Sequence, residues 1–210
     1  MALHAVIFDY GMVLSGPPAP EAFAHLLRIT ALDPPRLNEL YWANRDAYDE
    51  GKLTGRAFWE QLALDAGLML PPHRIEELTG WDARMWTTEN PPMLAWQQQL
   101  KARGLRTAIL SNMGDNVHHR IVCEFAWLSR FDALVWSYQL GLVKPDPAIY
   151  RHVLRELAVE PAEAFFIDDR LPNIEAALAL GMKAHLFSTP ERLREDLIAQ
   201  GLDGELPLPE

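Results

Sequence analysis

The chain has a single cysteine, Cys123, among its 210 residues. One cysteine excludes an intrachain disulfide, and scarce cysteine is typical of proteins that fold in a reducing cytoplasm. Cys123 lies in the apolar helical stretch RIVCEFAWL, so we expect it to pack in the interior rather than to react. The cysteine content therefore favours a cytoplasmic location.

Long apolar runs and positive charge are also scarce. No uncharged apolar run approaches the roughly 20 residues of a membrane-spanning helix. The N-terminus carries no basic leader, and Asp9 interrupts its first apolar run, so we do not expect a signal peptide. The 19 Lys and Arg residues stand against 29 Asp and Glu, for a net charge of −10. Because an acidic surface repels nucleic acid and anionic lipid, we expect neither as a partner. The sequence carries no signal for an oligomeric state.

Five short, nearly continuous apolar runs are typical of strands buried on both faces. They are HAVIFDY (4–10), RTAILSN (106–112), DALVWS (132–137), EAFFIDD (163–169) and KAHLF (183–187). Helical patterns separate them, over 91–104, 115–128, 147–159 and 172–180. This alternation predicts an α/β fold, a parallel sheet with helices on both faces.

Residues 15–90 break the alternation, because they show helical patterns and no convincing strand. The segment is rich in proline and in aromatic residues, most of which we expect to pack together in its own core. An insertion directly after the first strand would lie over the carboxyl ends of the strands, where open α/β sheets bind ligands. We therefore expect a small helical cap. The last residues, 201–210, read as an exposed tail.

Three carboxyl groups fall at the ends of two predicted strands. Asp9 follows the first strand, and Asp168 and Asp169 follow the fourth. These strands can be neighbours in a doubly wound sheet, which would bring the acids within a few ångströms of one another. Carboxylates that close need a compensating cation, and an oxygen-only ligand set suits Mg²⁺. The pattern predicts a magnesium site, with helix capping by Asp168 or Asp169 as the structural alternative.

Two other loops carry groups suited to an anion. Ser111 lies at the turn after the second strand, where Asn112 offers its backbone N–H beside a helix N-terminus. Lys144 precedes a helix that begins at Pro147, and its ammonium can neutralise a phosphate or a carboxylate. Taken singly, Ser111 could simply cap a helix and Lys144 could simply lie in solvent.

In this order, hydrophobic-Asp-x-x-x-Val, Ser-Asn, Lys-Pro and Asp-Asp resemble the haloacid dehalogenase-like (HAD) superfamily. The stretch FFIDDRLPNIEAALALGMKAHLF is similar to the fourth motif of its phosphatase branch. The resemblance covers about 1–14 and 91–190. It implies a Rossmann-like sheet of strand order 5-4-1-2-3 in a core of residues 1–14 and 91–210, with 15–90 as an inserted α-helical cap.

The resemblance also implies a role for each matching residue. Asp9 would be the nucleophile that forms an aspartyl phosphate, and Lys144 would neutralise Asp9 and the phosphoryl charge. Ser111 and the Asn112 amide would hold the phosphoryl oxygens. The Mg²⁺ ligands would be Asp9, the backbone carbonyl of Gly11, Asp169 and, directly or through water, Asp168.

The sequence departs from the family two residues after Asp9. Most phosphatases of the branch carry a second Asp there, which protonates the leaving group and activates water, whereas this chain has Gly11. General acid–base help is worth roughly 10²–10⁴ in rate. Three interpretations remain open: an activated leaving group, as in an acyl phosphate or sugar 1-phosphate; a proton donor from the cap; or a weak phosphatase kept for binding.

The resemblance predicts an Mg²⁺-dependent hydrolase of a small phosphorylated metabolite. The first alternative is a metal-independent 2-haloacid dehalogenase, whose family members also lack the second Asp. Asp168 and Asp169 disfavour it, because they would repel the carboxylate of a haloacid. The second alternative is a catalytically weak HAD-like protein that binds a phosphorylated ligand or a protein partner.

Overall fold

The computed structural model describes residues 2–209; Met1 and Glu210, the ends of the predicted core, lie outside the described residues. Within that range the predicted apolar runs form five parallel strands: β1 Ala5–Phe8, β2 Arg106–Ser111, β3 Ala133–Trp136, β4 Ala164–Asp168 and β5 Lys183–Leu186. Their spatial order is β3-β2-β1-β4-β5. This confirms the predicted α/β class and the 5-4-1-2-3 order, read from the opposite edge.

Burial on both faces explains why β1 and β4 are continuously apolar, whereas the edge strands β3 and β5 each expose a leucine, Leu134 and Leu186. Consecutive side chains of a strand point to opposite faces, so Val6 and Phe8 enter one apolar cluster whereas Ala5 and Ile7 enter another. β1 lies at the centre of the sheet. It pairs with β2 on one side, where Ile7 lies opposite Ala108, and with β4 on the other side. The carboxyl ends of β1, β2 and β4 therefore lie side by side at one edge.

The helices of the described residues are α1 Pro20–Thr30, α2 Pro34–Ala43, α3 Arg45–Asp49, α4 Gly55–Asp65, α5 Pro72–Met85, α6 Pro91–Ala102, α7 Asp115–Glu124, α8 Ser137–Leu140, α9 Pro147–Leu157, α10 Leu171–Ala179 and α11 Pro190–Ala199. Side chains of α6, α7 and α11 pack on one face of the sheet, and those of α9 and α10 pack on the other. None of the helices in residues 2–209 combines the length and the hydropathy needed to cross a bilayer.

Two expectations about the outer parts of the core are wrong. Cys123 is exposed on α7, because this helix buries the face that carries Val117 and Ile121, and Cys123 lies two residues after Ile121 on the opposite face. The C-terminal segment is not an exposed tail. Leu206 is fully buried, and the Trp96 indole donates a hydrogen bond of 2.6 Å to the carbonyl of Pro207.

Helices α1–α5, which we call the cap helices, surround a third apolar cluster. Its buried aromatic members are Tyr41, Tyr48, Phe58 and Trp59. The chain enters and leaves this region through one antiparallel bridge, Ser15 with Glu89, where the N–H of Gly16 also donates to the Thr88 carbonyl at 2.8 Å. The two chain segments that join the cap helices to the rest of the protein therefore lie side by side. The cap helices lie over the carboxyl edge of the sheet.

Candidate active site

A tight turn after β1 places Asp9 at the carboxyl edge of the sheet. Asp9 Oδ1 accepts a hydrogen bond of 2.7 Å from the Tyr10 N–H, which fixes the carboxyl group at the start of the turn. Met12 then adopts φ 59°, in the left-handed region that non-glycine residues seldom occupy. The N–H of Met12 donates to Ser15 Oγ at 3.1 Å, which holds this uncommon conformation. The turn leaves Asp9 facing a cavity under the cap helices.

The structure brings the three predicted acids together around Lys144. One carboxylate oxygen from each of Asp9, Asp168 and Asp169 lies within 4.8 Å of the others. Lys144 Nζ is 2.9 Å from Asp9 Oδ1 and 2.6 Å from Asp168 Oδ2. Lys144 and Asp168 are buried, whereas Asp169 is half-buried at the cavity wall.

Burial sets the electrostatics of this cluster. The pKa of Asp9 is raised to about 7, chiefly because a buried carboxylate loses its hydration; Lys144 opposes this rise, and Asp168 and Asp169 contribute to it. Burial likewise raises the pKa of Asp169, with Asp168 adding to the effect. Although burial opposes charge on Lys144, its acidic neighbours raise its pKa above the ordinary value. One ammonium therefore undercompensates three acids, which makes the cluster receptive to a further cation.

Asp168 differs from the other two acids because both of its oxygens are occupied. Oδ1 accepts hydrogen bonds from the Arg170 N–H at 2.8 Å and from Asn173 Nδ2 at 2.9 Å, and Oδ2 accepts from Lys144. Its geometry therefore suits fixing Lys144 and acting on an ion through its charge or a water, rather than direct ligation. Asp9 and Asp169 both face the cavity.

Ser111 and Asn112 lie at the end of β2, beside Asp9 in the cavity wall. From the sequence we predict a role only for the backbone amide of Asn112, but the side chain of Asn112 also makes specific hydrogen bonds. Asn112 Oδ1 accepts from the Lys144 N–H at 2.8 Å, and Asn112 Nδ2 donates to the Lys144 carbonyl at 2.9 Å. This pair of hydrogen bonds ties the lysine loop to the turn after β2, a long-range contact that no local pattern signals.

The cap helices complete a cavity of about 240 Å³. Trp42 and Trp86 form apolar wall, and Trp42 keeps 49% of its surface exposed. Arg45 and Asp49 of α3 also line it, paired at 2.8 Å between Arg45 Nε and Asp49 Oδ1. The role of these residues is not visible in the sequence. Helical periodicity shows which side chains are buried but not which ones contact another part of the chain.

Gly11 also lines the cavity, and its backbone does not require glycine. Its φ of −62° suits any residue, and a Cβ built there would meet only Trp86 Cζ3, at an ordinary 3.8 Å. Tyr10 also lines the cavity, and its hydroxyl donates to the carbonyl of Trp86 at 2.7 Å. Neither the backbone conformation at position 11 nor a clash at Cβ therefore explains why this position is a glycine.

One family model and several known proteins match this chain. The family model described as haloacid dehalogenase-like hydrolase matches residues 40–181. Bifunctional epoxide hydrolase 2 of Sus scrofa is 31% identical over 93% of this chain, but the match covers only 38% of that relative. A phosphatase of Mycobacterium tuberculosis is 26% identical, over 94% of this chain and 93% of its own length.

Solved structures share the fold. A HAD family enzyme of Bacteroides thetaiotaomicron, in complex with magnesium and inorganic phosphate, has a TM-score of 0.73 and 19% identity, covering 89% of this chain and 94% of its own. An L-2-haloacid dehalogenase has a TM-score of 0.64 and 24% identity, covering 90% and 85%. Because the family model spans more than half of the sequence, the protein belongs to the haloacid dehalogenase-like hydrolases.

Proposed function

We propose that this hydrolase is a Mg²⁺-dependent phosphatase of a small phosphorylated metabolite. Residues 15–90 would form its cap domain, over a core of residues 1–14 and 91–210. The observation that carries the proposal is the convergence of Asp9, Asp168 and Asp169 beside Lys144, at the edge of a cavity. The similarity to a phosphatase of Mycobacterium tuberculosis over nearly the whole chain supports it.

Asp9 would attack phosphorus and form an aspartyl phosphate. Its Oδ1 is held by the Tyr10 N–H and by Lys144, which leaves Oδ2 as the attacking oxygen. Lys144 would keep Asp9 ionised and offset the negative charge of the phosphoryl group. The Ser111 hydroxyl and the Asn112 N–H would donate hydrogen bonds to the phosphoryl oxygens.

The donor set fits Mg²⁺. Asp9, Asp169 and the Gly11 carbonyl would hold the ion, since all are oxygen ligands and the acids lie together in a region short of positive charge. When bound, Mg²⁺ supplies positive charge beside the phosphoryl oxygens. Asp168 would add its charge from behind Lys144, through its hydrogen bond to that ammonium.

The cavity favours a small substrate with an apolar portion. Its volume of about 240 Å³ is below the range usual for drug-sized ligands. Trp42, Trp86 and Met12 provide apolar wall in the cavity. The phosphoryl group would lie at the sheet edge, with the organic part against these side chains.

The test is a phosphate-release screen of purified protein against phosphorylated metabolites. We expect turnover that Mg²⁺ supports, that EDTA abolishes and that Asp9→Asn removes. Asp203→Asn changes an exposed Asp outside the cavity and is the matched control, which should keep full activity. Phosphate release that survives both EDTA and Asp9→Asn would contradict the proposal.

Metal-independent haloacid dehalogenation is the second candidate, favoured by Gly11 and by the shared fold with an L-2-haloacid dehalogenase. The acid cluster opposes it, since two extra carboxylates would repel the substrate carboxylate. Halide release from 2-chloropropionate, unaffected by EDTA, would establish this activity instead. If neither phosphate nor halide is released, the function that remains is ligand binding without turnover.

A further inference from the structure

We propose that Asp49 of α3 is the proton donor to the leaving group and takes the place of the acid that Gly11 does not provide. This inference rests on the proposed phosphatase function. Among the described residues that line the cavity, only Asp9, Asp169 and Asp49 carry a carboxyl group. Since Asp9 and Asp169 belong to the acid cluster, Asp49 is the cavity acid left for proton transfer, and it lies on the cap side.

Two sets of contacts fix Asp49. Its Oδ1 accepts from Arg45 Nε, and its backbone carbonyl accepts a hydrogen bond of 2.5 Å from Ser137 Oγ. Ser137 Oγ in turn accepts from the Met113 N–H at 2.9 Å, directly after Ser111 and Asn112. Asp49 is therefore tied to the turn that would hold the phosphoryl group, although it belongs to the cap helices.

The second oxygen of Asp49 is free to act. Within residues 2–209, no side chain or backbone N–H donates a hydrogen bond to Asp49 Oδ2. This oxygen also keeps access to solvent. Because Asp49 lines the cavity and its Oδ2 is not shut off from solvent, we expect a leaving group bound in the cavity to reach this oxygen. A carboxyl group with one oxygen anchored and the other open is suited to proton transfer.

The charges around Asp49 allow its carboxyl group to hold a proton. Arg45 is shared with a second buried acid, Asp82, through the Tyr41 hydroxyl, which contacts Arg45 and donates to Asp82 at 2.8 Å. One guanidinium thus serves two buried acids. Burial raises the pKa of Asp49, Arg45 and the more distant Lys144 oppose this, and Asp46 adds to it.

The proposed chemistry balances in two steps. In the first, Asp9 Oδ2 bonds to phosphorus and the bond from phosphorus to the leaving oxygen breaks. Its electron pair stays on that oxygen, which takes the proton from Asp49. In the second, water attacks the aspartyl phosphate and gives one proton to the Asp49 carboxylate. The bond from Asp9 to phosphorus breaks, and inorganic phosphate leaves with Asp9 ionised and Asp49 protonated.

The test compares leaving groups in the first turnover of Asp49→Asn, which keeps the acceptor for Arg45. We expect alcohol release from an alkyl phosphate such as phenethyl phosphate to slow by roughly 10²–10⁴. Release from p-nitrophenyl phosphate should slow less than tenfold, because nitrophenolate leaves without a proton. Asp203→Asn, an exposed position outside the cavity, is the control and should change neither.

Gly11→Asp supplies a second readout, because the backbone and the neighbours of position 11 accept a Cβ. In the Asp49→Asn background it should speed alkyl phosphate cleavage more than tenfold, and in the wild type less than threefold. Equal slowing of both substrates by Asp49→Asn, or an equal gain from Gly11→Asp in both backgrounds, would overturn the role of Asp49 alone. A wild-type protein that cleaves neither substrate with any divalent ion would overturn the proposed function as well.

Discussion

Replacing Asp9 by Asn should stabilise the metal-free protein, and increasingly so as the pH rises. Asp9 is buried beside two other acids, and its pKa rises from 3.8 to about 7 in the fold. The native state therefore binds this proton more tightly than the unfolded state does. The cost of ionising Asp9 is absent below about pH 4 and is fully present above pH 7. A shift of this size corresponds to about 4 kcal/mol at most, at 1.36 kcal/mol per pKa unit.

The assay is urea unfolding of wild type and Asp9→Asn in EDTA, between pH 4 and pH 8. We expect the difference in unfolding free energy to grow with pH in favour of Asp9→Asn by up to about 4 kcal/mol, while the exposed control Asp203→Asn shows no trend. Excess Mg²⁺ at pH 8 should stabilise wild type more than the variant. A difference that is flat with pH, or that shrinks as pH rises, would refute this view of the cluster.

Three further substitutions test individual contacts. Lys144→Met leaves buried Asp168 without its cation, so unfolding in EDTA at pH 7 should be easier by about 3–5 kcal/mol; a loss below about 1 kcal/mol would mean that the ion pair is not intact. Asn112→Ala removes two hydrogen bonds to the Lys144 backbone and should cost about 1–3 kcal/mol in urea unfolding; an unchanged midpoint would show that the lysine loop is held by other contacts. Gly114→Ala would place a Cβ 2.1 Å from the Tyr48 ring and should cost about 1–3 kcal/mol, seen as a lower melting temperature; an unchanged value would contradict the close packing of cap and core.

The fold was predictable because its signals are local. The inner strands β1 and β4 are buried on both faces, so a short continuous apolar run marks them, and the core helices α6, α7 and α9 begin at Pro91, Asp115 and Pro147 and bury one face. The sequence is a poor guide to the exposure of Cys123 and to the burial of the C-terminal segment, because both depend on how an element packs against parts of the chain distant in sequence. Pro207 is ordered by Trp96, more than a hundred residues earlier in the chain.

The acid cluster was predictable for a topological reason. Once β1 and β4 are neighbours, Asp9 and Asp168 must lie close together, and the order of motifs made that pairing the expected one. The cap contribution was not predictable, because Arg45 and Asp49 follow an ordinary helical pattern. Only the docking of α3 against Ser137 brings Asp49 to the cavity.

The most direct test of the proposed centre is a crystal structure of the protein with Mg²⁺ and beryllium trifluoride, a mimic of an aspartyl phosphate. We predict fluoroberyllate bonded to Asp9 Oδ2, Lys144 and Ser111 contacting its fluorines, and Mg²⁺ bound by Asp9, Asp169 and the Gly11 carbonyl. An unmodified Asp9, or Mg²⁺ bound away from Asp169, would contradict the proposed chemistry.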